Sequence, residues 1–398
     1  MNIFFDKKRN AFVHDEEQSP FFWGAQDELL PLSNEKNEFT YKFKLLKTNQ
    51  RVGPLIGVLT SKTKNGHVAG NKDLYVNLQK KLQSSGGLSF VYTLDDIAEN
   101  FINGSFYVIE EKKWVQATFP FPNIIYNRIS LRSEEKTEQF LKHKLEAMNQ
   151  QCFFFNPSFI DKFSMYQLFK KNAYLRPLLP ETSLIKGQEE FQNFLTLHPK
   201  AYIKPTIRSQ GNGIFLVKRE GNGSFFYQKA ETKKQFASFQ DLWDHVESTL
   251  QKYPFIAQRD IESAKIENKK YDYRILSHYS NKEYQLTGVG IRTADINQIT
   301  THVSKGGSII PYKQVRKASL EKVFYWILQE CGKSLSNEFG DFLEFTIDLG
   351  RDDSGKLWIF EVNAKPMSFD ETEIEEARIQ ALVHLFYEKS IFAPEPSI

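Results

Sequence analysis

The chain has 398 residues, 40% of them hydrophobic, and its 52 basic and 49 acidic side chains leave a net charge of +3. That length exceeds one average domain, so two or three are expected, each large enough to bury a core. Charge this balanced, without long blocks of one sign, excludes a nucleic-acid tail or a polybasic membrane anchor. No window approaches the roughly eighteen apolar residues of a transmembrane helix, and the amino terminus lacks a signal-peptide pattern. Cys152 and Cys331 sit in no metal or redox spacing, which suits a reducing compartment. A soluble cytoplasmic protein is expected. The 35 phenylalanines are an excess for which the sequence offers no functional reason.

In chain order, residues 1–49 read as short strands and turns, a small β appendage whose clearest strand is Lys42–Leu46. Residues 50–152 change pattern. Pro54–Thr60 is a compact apolar run, the mark of a buried strand. Asn71–Ser84 is helical, with Leu74, Leu78 and Leu82 on one stripe; Gly86-Gly87 stops it and Leu88–Tyr92 resumes as a strand. This βαβ unit implies a parallel sheet with a right-handed crossover. A hairpin over Gly104–Val115 and a strand over Phe121–Arg128 follow.

A third segment, 153–260, opens with Asn156-Pro157 capping a helix over Phe159–Lys171, with Met165, Leu168 and Phe169 inward. Lys162 in its first turn is mildly unfavourable against the helix dipole, an objection that an anionic partner would remove. Ala201–Pro205 and Ile214–Val217 are strands joined by Arg208-Ser209-Gln210-Gly211-Asn212-Gly213. A glycine-rich turn between strands can close over phosphates, presenting N–H groups that a larger side chain would obstruct. It is also the composition of an ordinary tight hairpin. Phe255–Ile261 is a further strand. In the last segment, 261–398, strands are expected at Lys270–Leu276 and Gly288–Thr293, then a loop with His302, Lys305, Gly306 and Gly307. Helices follow at Ser319–Cys331, with Val323, Trp326, Ile327 and Leu328 inward, and at Glu371–Glu388, before a frayed tail.

Between those helices, Phe342–Pro366 reads as two alternating strands around the turn Arg351–Lys356. Period-two alternation puts Glu344, Thr346 and Asp348 on one face, with Phe345, Ile347 and Leu349 on the other. On the second strand Glu361 and Asn363 share a face, opposed by Phe360, Val362 and Ala364. Carboxylates and an amide converging on one surface are hard oxygen ligands, suited to Mg²⁺ held together with substrate phosphates. The same pattern also describes a hairpin with a solvated polar face.

Asp348 followed by Glu361-Val362-Asn363 and Pro366 resembles the metal-binding end of the ATP-grasp fold, and over Val52–Glu388 the chain resembles the YheC/YheD-like endospore coat-associated family. Trp358 and the Ala364-Lys365-Pro366 run fit that family in particular. The resemblance implies an α/β (α+β) ATP-grasp fold behind a Rossmann-like domain at 50–152, which commonly supplies part of the substrate cleft; Arg128 and Arg132 are candidates there. It implies ATP and one or two Mg²⁺ ions as cofactors, the metal on Asp348, Glu361 and Asn363. Nucleotide contacts are implied for Lys162, Lys204, Gln210, Gly211, Gly213, Gln258 and Asp272, with Leu216 and Ile256 as walls for the base. Arg274, Arg292 and Lys305 are the implied catalytic cations. His302 stands where the superfamily commonly has Asn.

The implied activity is a carboxylate–amine or carboxylate–thiol ligase acting through an acyl phosphate. Its partners would be ATP, an unidentified carboxylate and an amine or thiol, with spore coat proteins as associates and neither nucleic acid nor membrane. Two alternatives stay open: a spore coat protein that binds nucleotide without turnover, and a small-molecule kinase on the same fold.

Overall fold

The apolar run at 54–60 is a strand, Leu55–Leu59, buried at every position, in a computed structural model that describes residues 1–17, 20–33, 39–208, 211–294, 298–301 and 307–392. It runs parallel to Leu88–Tyr92 on one side and Ile124–Asn127 on the other. The helix Lys72–Ser85 makes the crossover. Its Asn71 cap accepts the Leu74 N–H, and Gly86 at φ +85° ends it, a left-handed conformation suited to glycine. The hairpin Ile102–Val108/Lys113–Phe119 extends one edge of this six-stranded sheet, and Phe153–Phe155 extends the other.

Residues 2–53 supply a three-stranded and a four-stranded sheet. They give the phenylalanines a purpose. Phe12 lies 5.7 Å from Phe43 and 5.3 Å from both Phe106 and Phe119, so rings from the amino-terminal strands and the hairpin form one aromatic core.

Two further sheets frame the site. One is antiparallel, in the order Thr182–Ile185, Phe255–Arg259, Lys200–Pro205, Phe215–Arg219, Phe225–Lys229, Thr232–Phe236. The helices Gln188–Leu197 and Phe239–Leu250 share its core through Phe191, Leu195, Leu242 and Val246. The other runs Ser308–Ile310, Glu283–Ala294, Lys269–Ser280, Glu344–Arg351, Leu357–Asn363, and shares its core with the helices Lys162–Lys171 and Ala318–Phe339.

Three element expectations are corrected. The helix expected from Phe159 begins at Lys162, capped by Asp161, whose carboxylate accepts the Phe163 and Ser164 N–H groups at 3.0 Å. Asn156 is no cap. It is buried at φ +55°, donating to the carbonyls of Glu344 and Ala364 and accepting from the N–H of Leu343, so one amide ties together both metal-candidate strands. The helix expected to end at Cys331 continues to Phe339, with Phe324, Ile327, Leu328, Cys331 and Leu335 inward, while Val323 and Trp326 are exposed. A Cβ at Gly332 would come within 2.4 Å of the Tyr284 ring, so glycine there serves close packing.

The last helix, Thr372–Glu388, joins the two halves. Leu382 and Phe386 pack in one cluster with Ile56 and Tyr126 of the parallel sheet and Leu78 of its crossover helix. Among the described residues no helix is long and apolar enough to cross a membrane. Both cysteines are buried free thiols.

Candidate functional site

The two antiparallel sheets enclose a cavity of about 250 Å³ between them. Lys204 and Gln258 enter it from the first sheet, and Asp272, Arg274, Arg292, Asp348 and Glu361 from the second. Residues far apart in the chain therefore meet at one cavity. Gln210, His302, Lys305 and Gly306 lie outside the described residues. Leu216 and Ile256 are buried and absent from the cavity lining, whose apolar surfaces are Tyr202, Ile214, Ile261, Ile299 and Phe360.

Asp348 stands opposite Glu361, and Thr346 opposite Asn363, across the strand pair. Directly opposed residues of an antiparallel pair project to the same face, so two carboxylates and an amide do share a surface. Beyond them the alternation breaks. Leu349 pairs with Ile359, leaving Phe360 as an extra residue in a β-bulge. Phe360 was expected on the apolar back face; the bulge turns it into the cavity beside Glu361, where it is only half-buried. Glu344 was also expected on the metal face. It is instead fully buried at the far end of its strand, receiving Arg378 Nε at 2.7 Å, Arg128 Nη1 at 3.4 Å and the Tyr126 hydroxyl at 2.5 Å. Burial alone would raise its pKa, but the guanidinium of Arg378 and its other partners hold it well below the usual carboxylate range.

Each remaining carboxylate is met by a cation. Lys162 Nζ donates to Glu361 Oε1 at 2.9 Å and to the Arg208 carbonyl at 2.6 Å, the anionic partner its first-turn position called for. Arg274 Nη1 lies 3.3 Å from Asp348 Oδ1. Lys204 has no carboxylate within ion-pair distance among the described residues. Its Nζ donates to Gln258 Oε1 at 2.6 Å, and the Gln258 amide donates onward to Thr182 at 3.2 Å. Burial pushes the Lys204 ammonium down to about 8. Asp272 accepts the Thr301 hydroxyl at 2.6 Å, yet burial still pushes its carboxyl up to about 6. Gly211 and Gly213 adopt φ of +67° and +83°, so the turn between strands needs glycine for its backbone as well as for space.

Sequence reasoning missed Glu371. It holds Arg292 in a two-point pair, Nη1 to Oε1 at 2.6 Å and Nη2 to Oε2 at 3.0 Å, from the residue just before the final helix. It missed Phe360 because no local signal marks a bulge, and Asn156 because its partners lie nearly two hundred residues away. Arg274, Arg292 and Glu361 also line a second, larger cleft of about 1410 Å³, which Arg128, Arg132, Arg208, Gly213 and Asn363 share.

A divalent ion fits this donor set. Among the described residues no group of three or more His, Cys, Asp or Glu side chains could cage one. Two opposed carboxylates and one amide are an incomplete oxygen shell, which suits Mg²⁺ completed by phosphate and water.

The family described as YheC/D like ATP-grasp matches residues 151–392. The chain is 27% identical to the endospore coat-associated protein YheD of Bacillus subtilis over 334 residues, 79% of this chain and 73% of the relative. With YheC of the same organism it shares 20% over 297 residues, 70% and 81% of the two chains. The VanG D-Ala:D-Ser ligase of Enterococcus faecalis superposes on 84% of this chain and 99% of its own, with a TM-score of 0.49 at 13% identity.

Proposed function

The chain belongs to the YheC/D-like ATP-grasp family, and from that premise we propose that it is a Mg²⁺·ATP-dependent ligase joining a carboxylate to an amine or thiol through an acyl phosphate. The observation that carries this reading is a shared wall. Arg274, Arg292 and Glu361 line both the smaller cavity and the larger cleft, so a nucleotide in one meets an acceptor in the other at those three side chains.

ATP would occupy the cavity, its base against Tyr202 and Phe360 and its phosphates toward Lys204, Arg274 and Arg292. Asp348, Glu361 and Asn363 would hold Mg²⁺, which supplies neutralisation of the β- and γ-phosphate charge. Lys162 and Arg274 are placed to release these carboxylates and take phosphate oxygens instead, since a cation serves either partner. An acceptor carboxylate oxygen forms a bond to the γ-phosphorus as the bond to the ADP oxygen breaks. An amine or thiol then attacks the acyl carbon, inorganic phosphate leaves, and the nucleophile loses its proton. Arg292, fixed by Glu371, would stabilise charge on the transferring group without reorganising. Gly211 and Gly213 would let the loop settle on the phosphates and exclude water from the acyl phosphate. Neither Cys nor His lines either chamber among the described residues, which suits a route without a covalent protein intermediate.

Similarity to two endospore coat-associated proteins supports a place in or near the spore coat. The test is a screen of carboxylates and amines or thiols with Mg·ATP, following ADP and phosphate. Ligation yields a new amide or thioester with one phosphate per ADP. A stable phosphorylated product would assign a kinase, and nucleotide binding without ADP release across the screen would assign a binding protein.

A further inference from the structure

The larger cleft exceeds the roughly 300–1,000 Å³ typical of a small-molecule pocket, and its charge is lopsided. Arg128, Lys365, Arg274 and Arg292 are committed to Glu344, Glu135, Asp348 and Glu371. Lys72, Arg132, Arg208 and Lys229 also line the cleft, and among the described residues none of them has a carboxylate within ion-pair distance. On the acidic side Glu361 is taken by Lys162 and Asp370 lies 3.8 Å from Arg292, leaving Asp73. A cleft with four cations outside ion pairs is a receptor for anions.

Two of those cations are built into the wall. The Arg132 guanidinium lies 4.6 Å from the Phe159 ring and spends one N–H on the Ile160 carbonyl at 3.0 Å. The Arg208 guanidinium lies 4.4 Å from the Tyr253 ring. An aromatic face fixes a guanidinium plane and leaves its N–H edge free, the geometry that takes a carboxylate by two parallel hydrogen bonds. One pair comes from the segment after the parallel sheet and the other from the base of the glycine loop, so they sit on different parts of the fold facing one cleft. Ile207 and Met367, both exposed, add apolar surface along the same lining.

We propose that this cleft takes an acidic peptide, with side-chain carboxylates on the stacked guanidiniums of Arg132 and Arg208 and the carboxylate to be activated near Arg274 and Arg292. The inference rests on the ligase reading and names its acceptor class. Spaced anchors with apolar surface between them suit a peptide better than the unbroken charge of a nucleic acid, and Asp73 would oppose a continuous phosphate chain.

The probe is a fluorescein-labelled octaglutamate, followed by polarisation with the full chain, Mg²⁺ and ADP. Octaglutamate is expected to bind, and Arg132→Gln and Arg208→Gln are each expected to weaken it about tenfold or more, the loss of a charge-assisted pair. Arg132→Lys should recover only part, because a point charge cannot replace the fork. Arg132→Gln should keep its ADP affinity, which also shows that it folds. Octaglutamate failing to bind a chain that binds ADP overturns the proposal and spares the nucleotide reading. An oligothymidylate of equal charge competing as well as unlabelled octaglutamate overturns it in favour of unspecific charge, as would unchanged affinity in both glutamine variants. Arginine-dependent peptide binding by a chain that ignores ADP would uphold the cleft and sink the nucleotide reading.

Discussion

Glu344 and Asp348 stand on one strand and, by period-two alternation, on one face, but their surroundings differ in kind. Glu344 lies where the parallel sheet and the final helix close over the strand, and Arg378, Arg128 and Tyr126 saturate its oxygens. Asp348 lies where the sheets part around a cavity, and its 3.3 Å pairing with Arg274 is part-exposed. Glu361 across from it pairs with Lys162 at 2.9 Å. A carboxylate with every oxygen satisfied inside the protein is architecture. One paired with an exchangeable cation at a cavity wall is available for a ligand. The difference comes from what covers each end of the strand.

The largest expected effect tests the covered end. Glu344→Gln leaves Arg378 and Arg128 buried without their counter-charge, which costs on the order of 3–5 kcal/mol. Chemical denaturation followed by fluorescence should show it, and a loss near zero would put Glu344 outside the structural class. The pH dependence follows from the same depressed pKa. Protons bind Glu344 more readily in the unfolded chain, so its contribution is complete above the ordinary carboxylate value of about 4.3 and is lost as pH falls from there toward the folded value. The glutamine variant should lack that part of the acid limb.

At the open end the same chemical change should act on ligands instead. Asp348→Asn and Glu361→Gln are expected to cost about 1 kcal/mol or less in stability, as for part-exposed pairs. Mg²⁺-dependent turnover, or nucleotide affinity where no acceptor is known, should fall by about a hundredfold or more. Matched stability and activity losses at both ends would erase the distinction drawn between them.

A smaller effect comes from Lys204, placed at about 8 by burial. Its protonated form is the one that attracts phosphate, so Mg·ADP affinity should decline above pH 8, about tenfold for each further unit. Calorimetry across pH 7–10 measures it. Lys204→Arg keeps its charge throughout and should flatten that limb; a limb that persists would belong to another group.

Much of this was legible in the sequence because it depends on neighbours along the chain. The helix over 71–85, the strand pair carrying Asp348 and Glu361, and the glycines at positive φ all follow from local periodicity and turn chemistry. What escaped depends on partners distant in sequence. Glu344 and Asp348 look alike until Arg128 and Arg378 arrive from far-off segments, and Glu371 shows no role until Arg292 is beside it. Asn156 resembles a helix cap because Asn-Pro often is one, and only the folded chain reveals it as a brace between two strands. The phenylalanine excess, silent in composition, becomes a packed aromatic core where residues 2–53 meet the hairpin at 102–119.

A paired comparison of neighbouring residues decides the bulge on which the open end depends. In a regular ladder Phe360 would face the core and Ile359 the polar side; with Phe360 as the extra residue, Ile359 is 1% exposed in the core and Phe360 lines the cavity. Ile359→Ala should therefore cost about 2–5 kcal/mol through the void it leaves. Phe360→Ala, removing a ring only half-withdrawn from water, should cost about 1 kcal/mol. Its main consequence should be at the cavity, where losing an aromatic wall beside Lys204, whose Nζ is 5.7 Å from the ring, weakens nucleotide by roughly tenfold, within the range for base–aromatic stacking. Paired denaturation and ADP titration of the two variants separate the alternatives. A greater stability loss for Phe360 than for Ile359 would restore regular alternation, move Phe360 to the back face, and take the aromatic wall out of the nucleotide site.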